Sequence, residues 1–401
     1  MLIRRYQLLI VIAASILTLI ATDILLPSLP QIADTFAVSS HKVKMLLSIF
    51  MAGELSTVLI WGVIADLLGR RQTLFLGMLI FCIGSIMSLY ADSINLLLVC
   101  RFLQGAGSVV VPVAGWALIQ DLYPKDEGAR MMSFVGTLVA VLPLFAPAIG
   151  GKIDVLYGWH MNLYGIAFYA AILCLAMLLL PQTLSMKNTR VSIPDLNKRL
   201  RIYGTILKNK TFISYIALFG LLNCGQWCFL TVAPFYYAHA HISPDKMGLL
   251  LMITSMGFLL GAMTASRLFK KFGVDNTMAL GILIALVSSL LLLASSYNGR
   301  SNQPIFSALV ISLYVFSSAL LWGASTSRAL QCFDDFRGSA SAVRSLILIG
   351  FSALGTFAGK LLHHESLFAT GIILFALALT ALWVFNTKGL RAERMTAEVA
   401  Y

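Results

Sequence analysis

Three ionisable side chains fall inside long apolar runs of this sequence: Asp23, Glu54 and Arg101. A charge at mid-bilayer costs about 2.5–3.5 kcal/mol even on insertion scales, so each is a functional candidate by default. At about 1.5 Å of rise per helical residue, Asp23 lies about 6 Å and Arg101 about 10 Å from the outer ends of their runs, with Glu54 about 15 Å down its own. All three then share one band of depth. The chemistry open to them is proton uptake and release, with a guanidinium near enough to hold a carboxylate charged or to organise the helices around it. Asp23 is the principal coupling candidate, Glu54 the second, and Arg101 tunes both. Asp23 and Glu54 are also candidates to meet a cationic substrate. Plainer roles compete: a capped helix-end acid for Asp23, a structural cation for Arg101, and hydrogen bonding to neighbouring helices for Glu54.

The elements that position them follow from composition. Of 401 residues, 59% are hydrophobic and 11% charged, whereas soluble domains carry about 25% charged residues. Lipid must be the solvent for much of this chain. Twelve segments are long enough to cross about 30 Å of hydrocarbon as helices. They run over 7–27, 44–65, 73–90, 94–119, 131–153, 161–181, 211–235, 246–267, 277–296, 304–327, 339–361 and 367–386. Arg4-Arg5 before the first run imitates a signal peptide, but the run ends in Leu26-Pro27-Ser28-Leu29-Pro30 without a cleavage site, so it reads as an uncleaved span. The predicted class is an all-α membrane protein of twelve transmembrane helices.

Basic residues set the orientation. With the N-terminus inside, 22 of the 29 Lys and Arg face the cytoplasm and six face outward: Lys42, Lys44, Lys152, Lys246, Arg300 and Lys360. That bias places both termini in the cytoplasm, and it accounts for a net charge of +12 without nucleic acid. The basic connection 182–210 divides the spans six and six. It predicts an N-terminal bundle over 1–181, a cytoplasmic linker with a short helix near 193–208, and a C-terminal bundle over 211–401. Five of the six cysteines lie in apolar runs, and Cys224 and Cys228, one turn apart, read as packing residues. No phosphate-binding loop, metal cluster or nucleophile constellation appears, so neither an enzyme nor an ATP-driven pump is expected, and no cofactor beyond protons.

Two motifs sharpen the reading. Between the second and third spans stands Gly62-Val63-Ile64-Ala65-Asp66-Leu67-Leu68-Gly69-Arg70-Arg71. Gly62 permits close helix approach, Gly69 a tight turn, and the Asp66, Arg70 and Arg71 charges can latch onto helix ends, Asp121 among them. The fifth span holds Leu142-Pro143-Leu144-Phe145-Ala146-Pro147-Ala148-Ile149-Gly150-Gly151, with Gly136 upstream. Pro147 bends such a helix, and Gly150 and Gly151 let another backbone pack close.

The first motif resembles the loop signature of the major facilitator superfamily, with Leu67 in place of its usual Arg. The second resembles the antiporter signature of that superfamily's proton-coupled exporters, with Ala146 in place of Gly. Thr22-Asp23 through Pro30, Arg101-Phe102-Leu103-Gln104-Gly105-Ala106-Gly107 and Gly338-Ser339-Ala340-Ser341-Ala342 resemble the bicyclomycin/chloramphenicol-resistance (Bcr/CflA) branch of drug:proton antiporters. The resemblance implies a major facilitator fold of two six-helix bundles, alternating access and proton-driven export from a bacterial inner membrane by a monomer. It aligns Asp23 with the family's embedded helix-one acid and Arg101 with its helix-four arginine. Glu54 matches no family position. Siderophore or metabolite export on the same fold is the alternative, and proton symport a further one. Gln104, Trp227, Met252 and Trp322 join the two acids as candidate substrate contacts, and Phe229 and Tyr236 extend that aromatic set. In the second half, Arg267 to Gly273 keeps only the basic character and one glycine of the loop signature.

Overall fold

The computed structural model describes residues 2–123, 141–178, 202–297, 303–333, 337–362 and 367–387, with positions 131, 135 and 138. Every regular element among them is helical. In chain order they are α1 (Leu2–Asp23), α2 (Leu29–Thr35), α3 (Ser40–Leu68), α4 (Arg70–Ser88), α5 (Ile94–Ser108), α6 (Trp116–Leu122) and α7 (Ala146–Tyr157), followed by α8 (His160–Leu178). Then come α9 (Lys210–His239), α10 (Pro244–Phe272), α11 (Val274–Tyr297), α12 (Pro304–Gln331), α13 (Arg337–Leu361) and α14 (Leu367–Phe385).

Eleven stretches among the described residues are long and apolar enough to cross a membrane, and each coincides with an expected span. The remaining expectation, 131–153, has only isolated positions described before a 3₁₀ turn at Leu142–Phe145 and the 12-residue α7. Two spans are interrupted for identifiable reasons. Pro27 cannot donate to the carbonyl four residues earlier, so α1 stops at Asp23 instead of running to 27, and the chain passes through a 3₁₀ turn at Leu26–Ser28 into α2. Pro112 opens a π-helical turn over Val111–Gly115 that joins α5 to α6.

The chain forms two compact units, Met1–Asn197 with Ser243–Gly248, and Lys198–Ile242 with Leu249–Tyr401. The expected linker helix is present over 202–208, while 179–201 lies outside the described residues. Within the first unit the tightest crossing is α3 on α5. A Cβ on Gly53 would strike the Phe102 carbonyl, and one on Gly105 the Phe50 carbonyl, so glycine on each side lets the two backbones touch. Trp61 Nε1 and Thr57 Oγ1 both donate to the Ala106 carbonyl, at 2.6 and 3.0 Å, and fix the register. In the second unit, Asn209 caps α9 by accepting from Phe212 N at 2.9 Å. Arg328 at the end of α12 pairs with Asp275 at the start of α11, Nη2 to Oδ2 3.1 Å.

Candidate transport site

The first unit concentrates the buried charge chemistry. Arg101 on α5 is 2% exposed. Its Nη1 donates to the Ala21 carbonyl and to Gln104 Oε1, both at 3.1 Å. Ala21 is among the last four residues of α1, whose carbonyls have no helical partner, so the guanidinium caps the negative end of that helix. Gln104 Nε2 passes the network on to Ser85 Oγ of α4 at 3.0 Å, and Ser85 donates to Phe81 O at 2.8 Å. The guanidinium carbon also stands 5.9 Å from the centroid of the Phe50 ring. Arg101 thereby joins α1, α3, α4 and α5.

Neither carboxyl meets it. Among the described residues no ion pair joins Arg101 to Asp23 or Glu54, so of the roles open to Arg101 the structure displays the organising one. Asp23, half-buried where α1 breaks, makes no protein hydrogen bond among the described residues. Glu54 of α3 lies 3.0 Å from Ser108 Oγ, and that hydroxyl also lies 2.9 Å from Gly105 O. A serine has one proton to give. If Glu54 is ionised, its oxygen and the Gly105 carbonyl compete for that proton. If Glu54 carries its own, it donates to Ser108 and Ser108 donates to Gly105, and every group is satisfied.

The antiporter-like segment packs beside this centre. Pro147 is buried in the first turn of α7, directly after the 3₁₀ turn at Leu142–Phe145. A Cβ on Gly150 would strike the carbonyl of Ile24, the residue after Asp23. One on Gly151 would strike the carbonyl of Pro244, which belongs to the same compact unit. Gly136 lies outside the described residues, as do the side chains of Asp66 and Asp121.

Some expected roles need correction. Among the described residues a Cβ on Gly62 would meet nothing within 4 Å, so none of them shows the close approach expected of that glycine. Gly69, with φ +87°, does make the turn between α3 and α4 and sets Arg70 and Arg71 in the first turn of α4. Gln104 is 1% exposed with its amide bonded on both sides, which removes it from any substrate-facing surface. Phe229 is fully buried and Tyr236 nearly so. Trp227 and Met252 are half-buried, and Trp322 is 42% exposed with its ring tilted against Phe258, centroids 5.7 Å apart. Two groups went unnoticed in the sequence. Lys44, counted among the outward positions, is 1% exposed, and Asp154, just past the expected end of its span, is 3% exposed.

The model of the Major Facilitator Superfamily matches residues 11–356 and 220–394. The chain belongs to the major facilitator superfamily. Members of known name include a bicyclomycin resistance protein homolog of Haemophilus influenzae, 24% identical over 90% of this chain and 90% of that one. A chloramphenicol resistance protein, CraA, of Acinetobacter baumannii is 22% identical over 95% of this chain and 91% of its own. Among solved structures, a D-xylose-proton symporter superposes with a TM-score of 0.76 at 15% identity, covering 95% of this chain and 97% of that chain, which shows the shared fold. The protein is therefore a multi-pass membrane transporter of the major facilitator fold, similar to resistance proteins.

Proposed function

We propose that this facilitator exports small amphipathic molecules, drugs among them, in exchange for protons. The observation that carries the reading is the state of two carboxyls in a unit whose buried arginine is bonded elsewhere. Arg101 is committed to Ala21 and Gln104, so among the described residues neither Asp23 nor Glu54 has a fixed counter-ion. A carboxyl without a counter-ion in poorly hydrated protein stays free to exchange its charge for a proton or for a substrate cation. Asp23 also ends α1, next to Ile24, whose carbonyl abuts Gly150 of α7, so a change of its charge acts beside a helix junction. The names of the relatives, bicyclomycin and chloramphenicol resistance, support an exported antibiotic-like cargo.

In this reading bundles over 1–181 and 211–401 rock about a midplane site, with both termini in the cytoplasm of a bacterium and 182–210 as the linker. Protonation of Asp23, with Glu54 second, competes with cargo binding. The test is transport in proteoliposomes over a compound panel, with and without an imposed pH gradient. Uphill movement of cargo against the proton flux, lost in Asp23→Asn with binding of neutral compounds retained, is the expected result. Cargo that moves in the same direction as protons would establish symport instead, and no response to the gradient would refute proton coupling.

A further inference from the structure

Helix α7 carries a carboxyl that the transport reading has not used. Asp154 follows Gly150 by four residues, so the two share one helical face. Asp154 is 3% exposed, and neither of its oxygens has a hydrogen-bond partner. The Ser28 hydroxyl, in the turn between α1 and α2, lies beside it. Ser28 Oγ accepts from Asn162 Nδ2 at 3.3 Å, and the same nitrogen donates to Gly150 O at 3.1 Å, which fixes the amide's orientation. Asn162 Oδ1 is then left buried without a donor. Asp154 and Asn162 thus meet at Ser28, and among the described residues the cluster has fewer protons to donate than buried acceptors.

The charged groups on the elements packed against α7 do not supply a counter-charge. Lys152, His160 and Lys246 are exposed, while Asp23 and Asp245 are half-buried and of the wrong sign. Among the described residues only burial and Ser28 act on Asp154. An ionised carboxylate there would be stripped of water with no cation and only the Ser28 hydroxyl to offset it, an arrangement proteins avoid by neutralising the group.

We propose that Asp154 is a proton-binding site on the outer side of the first unit and a further acid of the coupling reaction. It holds its proton while α7 packs on the α1–α2 break. When water reaches that face, the O–H bond breaks and the proton passes to water. The inference rests on the proton-coupled reading and its orientation.

Two measurements test it. Infrared spectra of the reconstituted protein at neutral pH should show a carbonyl stretch of a protonated carboxyl that disappears in Asp154→Asn and in Asp154→Leu. Transport with internal pH held fixed should vary with external pH by up to about tenfold per unit, the limit for one titrating proton. In both variants that slope should fall to about twofold or less, while the dependence on internal pH is kept. Absence of the Asp154 band at neutral pH overturns the proposal, and so does an unchanged external-pH slope in either variant that folds. The infrared band needs no transport, so a wild-type protein that shows the band yet ignores an imposed gradient would overturn the export reading and leave the proton site standing.

Discussion

Gly150→Ala tests the packing of α7 at its tightest point. The added Cβ would overlap the Ile24 carbonyl oxygen and stand 2.8 Å from both the Ile24 carbonyl carbon and its Cγ1. Two of those three atoms are backbone, so a rotamer change cannot relieve the clash and α7 must move. Overpacking of this kind costs about 1–3 kcal/mol. The movement also stretches the 3.1 Å bond from Asn162 Nδ2 to Gly150 O, worth about 0.5–1.5 kcal/mol. Together the loss is about 1.5–4.5 kcal/mol, or roughly tenfold to a thousandfold in the equilibrium between packed and loosened α7. The assay is the alkylation rate of Ile24→Cys, with and without Gly150→Ala, beside turnover in proteoliposomes. Labelling should rise at least tenfold and turnover should fall. Gly165→Ala is the control, because a Cβ there meets nothing within 4 Å among the described residues. Equal labelling and turnover in Gly150→Ala and its parent would refute the packing argument.

Other outcomes follow from the same geometry. Arg101→Met strands the Ala21 carbonyl and Gln104 Oε1, so thermal unfolding of the purified protein should show a loss of about 2–4 kcal/mol, larger than in Arg101→Lys. Ser108→Ala removes the hydroxyl between Glu54 and Gly105; stability should drop by no more than about 1.5 kcal/mol, while the pH profile of transport shifts. Gly69→Ala and Gly273→Ala each place a side chain where φ is +87° or +79°, and each should lower the melting point by a strain of about 1–3 kcal/mol. Trp322→Ala should raise KM for aromatic cargo several-fold with little change in melting temperature, since that ring is 42% exposed.

Much of the fold was legible because lipid leaves the chain few choices: every backbone polar group must be satisfied within its own helix, so span length and composition nearly fix the elements. The same logic missed the break inside the first span, because hydropathy does not register the missing N–H of Pro27, before which α1 has stopped at Asp23. The partner of Arg101 was not legible. A guanidinium reaches whichever acceptor tertiary packing brings near, and the break in α1 offers a bare carbonyl at the right place. Asp154 escaped notice because it follows Lys152 and precedes Gly158, which reads as an outer loop. A signal was nonetheless present, for its four-residue spacing from Gly150 puts it on the face that glycine presses against α1. Gln104, a candidate substrate contact, is buried with its amide bonded on both sides, which its sequence neighbours do not reveal.

The two units use one backbone device for different chemistry. Thr73 Oγ1 donates to the Gly69 carbonyl at 2.9 Å, and Thr277 Oγ1 to that of Gly273 at 2.7 Å, each after a glycine of positive φ. Gly53 presses on the Phe102 carbonyl as Gly257 presses on that of Ser312. The loop that kept only one glycine in sequence has thus kept the turn in structure. Beside Gly53 stands Glu54, bonded to Ser108; beside Gly257 stands Phe258, against Trp322. Where α5 buries Arg101 and Gln104, α12 buries Ile311 and Tyr314. The crossing is the scaffold in both units, and the side chain next to the glycine decides what it does. In the proton-coupled export proposed above, a carboxyl there would answer to protons and an aromatic ring to greasy cargo. Exchanging the two, with Glu54→Phe and Phe258→Glu made singly, separates the roles. The first should remove part of the pH dependence while sparing aromatic cargo. The second should weaken aromatic cargo while leaving the pH profile in place. If either substitution produces the other's phenotype, the division of labour between the units is wrong.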